Sequence, residues 1–262
     1  MSDKKVIFID YDGTLFHDKY NLPNEDTYQK LIEAKNNNID IYLTTGRILL
    51  TLKEETRLLN IVKGLIGANG CSIIVDNNEL EIHYISIEDI YNTLFYAKKN
   101  DIQIAYFGRN NAYVYFTDEE LFNRFATFNK VPIIRIDDEN DIKEKIELIC
   151  LYSFEEQIDL MIPCFDNLSI YKWGKRGADV VPRNYSKGNA IKKVIKTFNY
   201  KFEYTYGIGD GLNDIEMFQN VNVSIAMENA RDIVKNNANY VTKSIEENGV
   251  IDALNDIINC KI

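Results

Sequence analysis

The chain has 262 residues, of which 45% are hydrophobic and 27% are charged, and its formal net charge is −10 at pH 7. This is the composition of a globular protein long enough for one large or two modest domains. The chain has 40 acidic and 30 basic residues and no strongly basic block, which argues against a nucleic-acid backbone as the main partner. A small anion could still bind at a locally positive site.

The four cysteines, Cys71, Cys150, Cys164 and Cys260, are scattered and show neither C-x-x-C spacing nor nearby zinc-type histidines. We therefore expect buried free thiols, which suit a reducing cytoplasm. The basic N-terminus precedes only four apolar residues, too few for a signal peptide, and no segment approaches the ~20 apolar residues of a membrane span. The sequence thus predicts a soluble, cytoplasmic protein with no membrane partner.

The N-terminal part of the chain alternates between strand and helix patterns. The apolar run 6–9 predicts a buried strand that ends abruptly in Asp10-Tyr11-Asp12, and Asn24 is positioned to cap the next helix. This rhythm predicts a parallel sheet with right-handed crossovers. The predicted elements are strands over 6–9, 39–43 and 64–68, helices over 24–38 and 47–59, and a hairpin within 71–85 whose strands are 72–75 and 80–84.

The pattern loosens between residues 86 and 182. Adjacent predicted strands around 109–111 and 174–177 suggest antiparallel pairs, and a segment of this length is the size of a small α+β domain. The predicted elements are helices over 87–99, 118–129 and 154–164, and strands over 102–107, 112–116, 132–136, 147–151, 168–173 and 178–181.

The strand–helix rhythm returns after Pro182. We therefore predict an α/β protein with a doubly wound, Rossmann-like parallel-sheet core formed by residues 1–83 and 184–262, and with an α+β domain inserted over 84–183. The predicted elements of this last part are helices over 187–197 (with Ser186 as its N-cap), 213–218, 230–236 and 245–258, and strands over 204–208, 221–225 and 240–241.

Acidic residues gather at the predicted strand ends. Asp10 and Asp12 follow the first strand, Asp210 follows another, and Asp214 lies one turn into the next helix. The carboxyl ends of strands in a doubly wound sheet can converge on one edge, where four carboxylates would need a divalent cation, and oxygen donors select a hard ion such as Mg²⁺. Any one of these acids could instead be a cap or turn residue, but the placement of all four near the same predicted edge of the sheet favours a metal site.

Two cations, Lys187 and Arg47, are predicted at the positive ends of helix dipoles. Each position is mildly unfavourable, by ~0.3–1 kcal/mol if exposed. A flexible side chain could extend away into solvent, or both cations could face an anion. A phosphate bridging a metal and these two cations would satisfy every group.

Such an arrangement suits phosphoryl transfer, which needs in-line attack, charge neutralisation and a proton for the leaving group. Asp10 is a feasible nucleophile, and Asp12 could protonate the leaving oxygen and later activate water. The Thr45 hydroxyl and the Lys187 ammonium could hold the phosphoryl oxygens.

Taken together, these residues resemble the motifs of the haloacid dehalogenase (HAD) superfamily, and most closely its Cof-like phosphatase branch. One departure is Glu228, where the branch usually has glycine; it should change a loop without removing a catalytic group. The four motifs are matched by Asp10-Tyr11-Asp12-Gly13-Thr14-Leu15, Thr45-Gly46-Arg47, Lys187-Gly188 and Gly209-Asp210-Gly211-Leu212-Asn213-Asp214, and branch-typical segments by Gly67-Ala68-Asn69-Gly70, 179–182, Ala226-Met227 and Asn229-Ala230.

The resemblance implies a role for each matched position. Asp10 corresponds to the nucleophile and Asp12 to the general acid/base. The implied Mg²⁺ ligands are the Asp10 carboxylate, the Asp12 backbone carbonyl and the Asp210 carboxylate, with Asp214 supporting the metal directly or through water. The implied phosphate and substrate contacts are Thr45, Gly46, Arg47, Lys187 and Asn213.

The resemblance also implies that the inserted domain is a cap that selects the substrate. Its candidate contacts are Arg109, Trp173, Lys175 and Arg176, although exposed cations in hairpins are as readily solvated. We expect a phosphatase for a small phosphorylated metabolite such as a sugar phosphate, acting as a monomer or homodimer. A phosphosugar mutase of the same superfamily and a non-catalytic phospho-ligand sensor are the alternatives.

Overall fold

The computed structural model describes residues 3–162 and 166–262, which form two compact units. The unit that contains the N-terminal strand is called the core unit below, and the other the inserted unit. The core unit consists of the segment up to Thr45, Glu55–Leu80 and Ser186–Ile262, and the inserted unit of Gly46–Glu54 and Glu81–Tyr185.

All the predicted strands are present in the described residues, with ends within two residues of the prediction. The strands are β1 (Val6–Asp10), β2 (Asp40–Thr44), β3 (Gly64–Gly67), β4 (Ser72–Val75), β5 (Asn78–Ile82), β6 (Gln103–Gly108), β7 (Ala112–Tyr115), β8 (Ile133–Arg135), β9 (Ile146–Tyr152), β10 (Leu168–Lys172), β11 (Ala178–Pro182), β12 (Thr205–Gly209), β13 (Val223–Ala226) and β14 (Tyr240–Val241). The helices are α1 (Glu25–Asn36), α2 (Thr56–Ile61), α3 (Ile87–Lys99), α4 (Glu119–Asn129), α5 (Glu155–Met161), α6 (Lys187–Thr197), α7 (Ile215–Phe218), α8 (Asp232–Lys235) and α9 (Gly249–Ile258).

The first sheet has the strand order β14-β13-β12-β1-β2-β3-β4-β5. Strands β14 to β3 run parallel to their neighbours, and β4 is antiparallel to β3. The chain leaves β1 towards β2 on one side and later returns to β12 on the other, so β1 is a topological switch point. The carboxyl ends of β12, β1 and β2 therefore lie side by side, as the predicted α/β fold requires.

Apolar side chains explain why β1 is central. Val6, Ile7, Phe8 and Ile9 are fully buried, and Val6 and Phe8 share a buried cluster with Ile191 of α6. Burying one such side chain contributes about 1.5–3 kcal/mol. Because β1 is held on both faces and both edges, the residue at its carboxyl end has a fixed position.

The amino end of β2 carries a buried ionic network on Asp40. Its Oδ1 pairs with Lys4 Nζ at 2.6 Å, and its Oδ2 accepts hydrogen bonds from Lys63 Nζ at 3.1 Å and from the Tyr200 hydroxyl at 2.5 Å. Burial would raise the pKa of Asp40, but these three donors outweigh it and hold the pKa below its ordinary value.

We predict that Asp40→Asn lowers the free energy of unfolding by about 1–3 kcal/mol at pH 7, because two ammonium groups and a hydroxyl lose a charged acceptor. A lowered folded-state pKa stabilises the fold above the unfolded value near 4 and is lost as the pH falls through the folded value. The difference between wild type and variant in urea unfolding should therefore shrink from pH 7 to pH 3. Asp76→Asn, at an exposed turn, is the control, and an equal loss in both variants would contradict the assignment.

The single helix predicted over 47–59 is wrong. The structure has a 3-10 helix at Leu49–Leu52 and then α2. Ile48, Leu50 and Leu52 are all buried, and a spacing of two residues does not fit one face of an α-helix. The predicted helices over 213–218 and 245–258 likewise each begin with a separate 3-10 turn.

The inserted unit is built on the sheet β10-β11-β9-β6-β7-β8. Neighbouring strands are antiparallel except for β7 and β8, and the two predicted pairs, β6 with β7 and β10 with β11, are confirmed. Tyr106 and Ile149 on the sheet, Leu94 on α3 and Ile158 on α5 belong to one buried cluster. The sheet and these helices thus give this unit its own hydrophobic core.

Three segments group differently from the predicted domain boundaries. Gly46–Glu54 belongs to the inserted unit, and so do the short edges 81–83 and 184–185, although the prediction assigned all three to the core. Within that unit Lys53 Nζ donates to the carbonyl oxygen of Arg109 at 3.4 Å, and Lys130 pairs with Glu54 at 3.2 Å. Both contacts are solvent-exposed, so the hydrophobic periodicity of the sequence, which reports buried faces, does not predict them.

Cys71 and Cys150 are buried free thiols, as predicted. The prediction of burial is wrong for Cys260, which is a free but exposed thiol because it follows the end of α9 at Ile258. Cys164 and the predicted end of helix 154–164 lie outside the described residues. Among the helices in the described ranges, none is both long and apolar enough to cross a membrane.

Candidate active site

Three carboxylates meet at the carboxyl edge of the core sheet. Asp10 is the last residue of β1, Asp210 follows β12, and Asp214 closes the 3-10 turn at Leu212–Asp214. One oxygen from each lies within 4.8 Å of the others. Asp10 and Asp214 are buried and Asp210 is half-buried, so water screens their mutual repulsion poorly.

A buried ammonium group lies inside this cluster. Lys187 Nζ is 2.5 Å from Asp10 Oδ1 and 2.6 Å from Asp214 Oδ1. Helix α6 begins at this lysine, as predicted, and Ser186 caps it by accepting a hydrogen bond from the Asn189 N–H at 3.2 Å. Burial would lower the pKa of Lys187, but the two carboxylates outweigh it and raise the pKa above its ordinary value.

Asp214 links the lysine to the motif loop. Its Oδ2 accepts hydrogen bonds from the backbone N–H groups of Asp210 at 3.0 Å and Gly211 at 2.8 Å, while its Oδ1 receives Lys187. Both oxygens are thus engaged by the protein itself. This suits a supporting acid that orients the loop better than a direct metal ligand.

Asp210 is held by the loop that follows β1. Thr14 Oγ1 donates to Asp210 Oδ1 at 2.7 Å, and Asn229 Nδ2 donates to the Gly13 carbonyl oxygen at 2.9 Å. Gly13 has φ +83°, and a Cβ there would lie 2.3 Å from Asp210 Oδ2. Only glycine lets the backbone approach the carboxylate this closely.

The local charge raises the affinity of two acids for protons. Burial first, and then the Asp214 carboxylate, raise the pKa of Asp10 well above its ordinary value, although Lys187 opposes the shift. Burial and Asp214 also raise the pKa of Asp210 to about 6. Carboxylates that are costly to ionise together are stabilised by a divalent cation, and this all-oxygen donor set fits Mg²⁺.

Asp12 lies apart from the three-carboxylate cluster. It is exposed on a turn in which the Tyr11 carbonyl oxygen accepts the N–H groups of Leu15 at 2.9 Å and Phe16 at 2.7 Å. The Asp12 charge still contributes to raising the pKa of Asp210. An exposed carboxylate at the edge of the site can exchange protons with a ligand or with water.

Two predicted phosphate contacts lie at the same edge. Thr45 is buried after β2, and its N–H donates to the Ile66 carbonyl oxygen at 2.9 Å. Asn213 Nδ2 donates to Asn69 Oδ1 at 2.8 Å. In the sequence, Asn69 stands out only as part of a branch-typical segment and has no predicted role. The residues around it do not indicate a partner 144 positions away.

A family model described as haloacid dehalogenase-like hydrolase matches residues 7–254. The chain belongs to the haloacid dehalogenase (HAD) family. It is 28% identical over 263 residues to the 5-amino-6-(5-phospho-D-ribitylamino)uracil phosphatase YcsE of Bacillus subtilis, covering 96% of this chain and 95% of that one. It is 25% identical over 288 residues to the phosphatase YwpJ of the same organism, covering 97% and 100%.

Among solved structures, the chain is similar to the HAD subclass IIB sugar phosphatase BT4131, with a TM-score of 0.84, 27% identity, and coverage of 96% of this chain and 98% of that one. The HAD resemblance and the predicted enzyme class, a phosphoric monoester hydrolase, are therefore confirmed.

Gly46 and Arg47 of this HAD chain belong to the inserted unit. The Arg47 guanidinium lies over the Phe128 ring, 5.6 Å from its centroid. The argument that Arg47 opposes a helix dipole is wrong, because Ile48 separates it from a short 3-10 helix rather than from an α-helix. Its contact with substrate stays a prediction.

Three of the four other candidates in the inserted unit have a side-chain contact with a neighbour within it. Arg109 Nε is 3.3 Å from Glu147 Oε1, and Trp173 Nε1 donates to Asp179 Oδ1 at 2.8 Å. The Arg176 guanidinium lies 4.4 Å from the centroid of the Phe154 ring, and Lys175 is exposed. A role for these four residues in substrate selection stays a prediction.

Proposed function

We propose that this HAD hydrolase is a Mg²⁺-dependent phosphatase that acts on a small phosphorylated metabolite through an aspartyl-phosphate on Asp10. The observation that carries the proposal is the buried pair of Lys187 and Asp10, 2.5 Å apart, within the three-carboxylate cluster at the switch point of the sheet. Buried charges of the same sign destabilise the fold, and such clusters are typical of active sites, where the charges take part in the reaction.

Asp10 is suited to attack phosphorus. Lys187 binds its Oδ1, so Oδ2 would form the new bond to phosphorus while the bond from phosphorus to the leaving oxygen breaks. Asp12 would give its proton to that leaving oxygen. In the second half-reaction Asp12 would take a proton from water, the water oxygen would bond to phosphorus, and the bond to Asp10 would break and release phosphate.

The remaining groups would hold the phosphoryl oxygens and the metal. Thr45, Lys187 and Asn213 offer hydroxyl, ammonium and amide donors to the oxygens on which negative charge resides. The Asp10 carboxylate, the Asp12 backbone carbonyl and the Asp210 carboxylate would hold Mg²⁺. When bound, Mg²⁺ would supply the positive charge that neutralises the phosphoryl oxygens.

The relatives support a choice of substrates. One is named as a phosphatase for a phosphorylated ribitylaminouracil, and a similar structure is that of a sugar phosphatase. We propose that this chain acts within the same range, and that residues 84–183 form a cap that selects among such compounds.

The test is phosphate release from a panel of sugar phosphates and the ribitylaminouracil phosphate, with Mg²⁺ and with a chelator. We expect turnover only with Mg²⁺, and we expect Asp210→Asn to raise the Mg²⁺ concentration for half-maximal rate at least about tenfold. Asp232→Asn, whose side chain is exposed, is the control. Equal rates in chelator would contradict the metal assignment, and isomerised hexose phosphate without free phosphate would favour a mutase.

A further inference from the structure

The turn that follows β3 has an unusual backbone. Ala68, Asn69 and Gly70 have φ values of +48°, +52° and +102°, and all three are buried. Glycine adopts this left-handed conformation freely and asparagine tolerates it, but alanine rarely does. Such a turn persists only where surrounding contacts fix it, and strain of this kind concentrates at functional sites.

The backbone of the turn contacts two segments of the candidate site. The Asn69 N–H donates to the Thr45 carbonyl oxygen at 3.1 Å. A Cβ on Gly70 would lie 2.2 Å from the Ser186 carbonyl oxygen and 3.0 Å from the Lys187 nitrogen. The turn therefore packs directly against the strand end at Thr45 and against the first turn of the helix that carries Lys187.

The side chain of the turn contacts a third segment. Asn69 is fully buried, and its Oδ1 accepts the hydrogen bond from Asn213 Nδ2 at 2.8 Å. A carboxamide that donates one N–H to a fixed acceptor has a fixed plane, so its remaining polar atoms point in set directions. The left-handed backbone aims the Asn69 side chain, which in turn orients Asn213.

We propose that Asn69 is a positioning residue for phosphate binding, which fixes the carboxamide of Asn213 and ties it to the segments of Thr45 and Lys187. The proposal rests on the phosphatase function proposed above, because only then is Asn213 a phosphate contact. Asn69 itself acts through Asn213 and does not touch the substrate.

The test is a double-mutant cycle with Asn69→Gly and Asn213→Ala. Glycine keeps the left-handed backbone but removes the whole buried carboxamide together with its acceptor oxygen. The Tm of each variant is therefore measured beside the kinetics and should stay well above the assay temperature. We expect Asn69→Gly to raise KM and the inhibition constant of inorganic phosphate about threefold to tenfold with kcat nearly unchanged, and to have no further effect on them in the Asn213→Ala background. Asn199→Gly makes the same change at a left-handed asparagine at the other end of α6 and should alter neither constant.

A second measurement does not depend on activity. The side-chain amide signal of Asn213 in a ¹⁵N-labelled sample without ligand is identified by its loss in Asn213→Ala, and it should shift in Asn69→Gly. An unmoved signal, an unchanged phosphate inhibition constant, or an equal effect of Asn69→Gly in both backgrounds would overturn the proposal. If wild type releases no phosphate, the proposed function fails, whereas the amide signal still decides whether Asn69 positions Asn213.

Discussion

Replacement of Asp10 by asparagine should lower the rate of phosphate release by at least about 10³-fold, because a carboxamide cannot form the acyl-phosphate bond. The fold should survive. Burial and Asp214 raise the pKa of Asp10, which means that the folded state disfavours its charged form. A neutral side chain of the same shape removes this penalty, so Tm measured in chelator at pH 7 should equal or exceed that of wild type.

The control for this prediction is Asp18→Asn, which changes an exposed acid a few residues away. Acid-quenched wild type should carry the mass of one phosphoryl group on the peptide that contains Asp10, and Asp10→Asn should not. Equal background rates of phosphate release in wild type and variant would instead support a non-catalytic phospho-ligand sensor.

An unchanged or raised Tm in Asp10→Asn would show that the charged cluster is a cost to the stability of the fold. Natural active sites retain charges that folding alone would not select, and removing them often exchanges activity for stability. The folded state also disfavours the charged form of Asp210, because burial and Asp214 raise its pKa to about 6. An Asp10→Asn variant that is inactive but no less stable than wild type would thus support a catalytic role for the cluster. If the cluster served only to stabilise the fold, the same substitution would lower the stability.

The carboxyl edge of the core could be predicted from sequence because each signal there is local. An apolar run that ends in acids identifies a buried strand and its carboxyl end at once, as at Asp10 and Asp210. The order of strands around β1 then brings the ends together, whichever loops intervene. Strand positions were accurate for the same reason.

The features of the structure that could not be predicted from sequence depend on contacts between distant residues. Asn69 meets Asn213 across 144 positions, and Arg109 meets the buried Glu147 across the inserted sheet. No periodicity encodes such partners. The prediction of one helix over 47–59 was wrong for another reason. The segment has enough apolar residues for a helix, but their spacing buries them on more than one side.

Lys187→Met should combine a loss of stability with a loss of activity. Methionine keeps most of the alkyl volume but leaves Asp10 and Asp214 buried and facing each other without a cation. Breaking a buried ionic cluster in this way costs about 3–5 kcal/mol, which urea unfolding in chelator would measure. Phosphate release should also fall by about 10²–10³-fold, because one charged donor to the phosphoryl oxygens is gone.

Charge and packing can be separated by a second substitution. Asparagine at position 214 can still accept hydrogen bonds from the loop N–H groups, but it removes one of the two facing charges. The double variant Lys187→Met/Asp214→Asn should therefore recover at least about half of the lost stability while staying inactive. Lys192→Met, an exposed change on the same helix, should stay within about 0.5 kcal/mol of wild type. If the double variant is no more stable than Lys187→Met, the lysine stabilises the core through its alkyl chain, and the ionic account of the cluster is wrong.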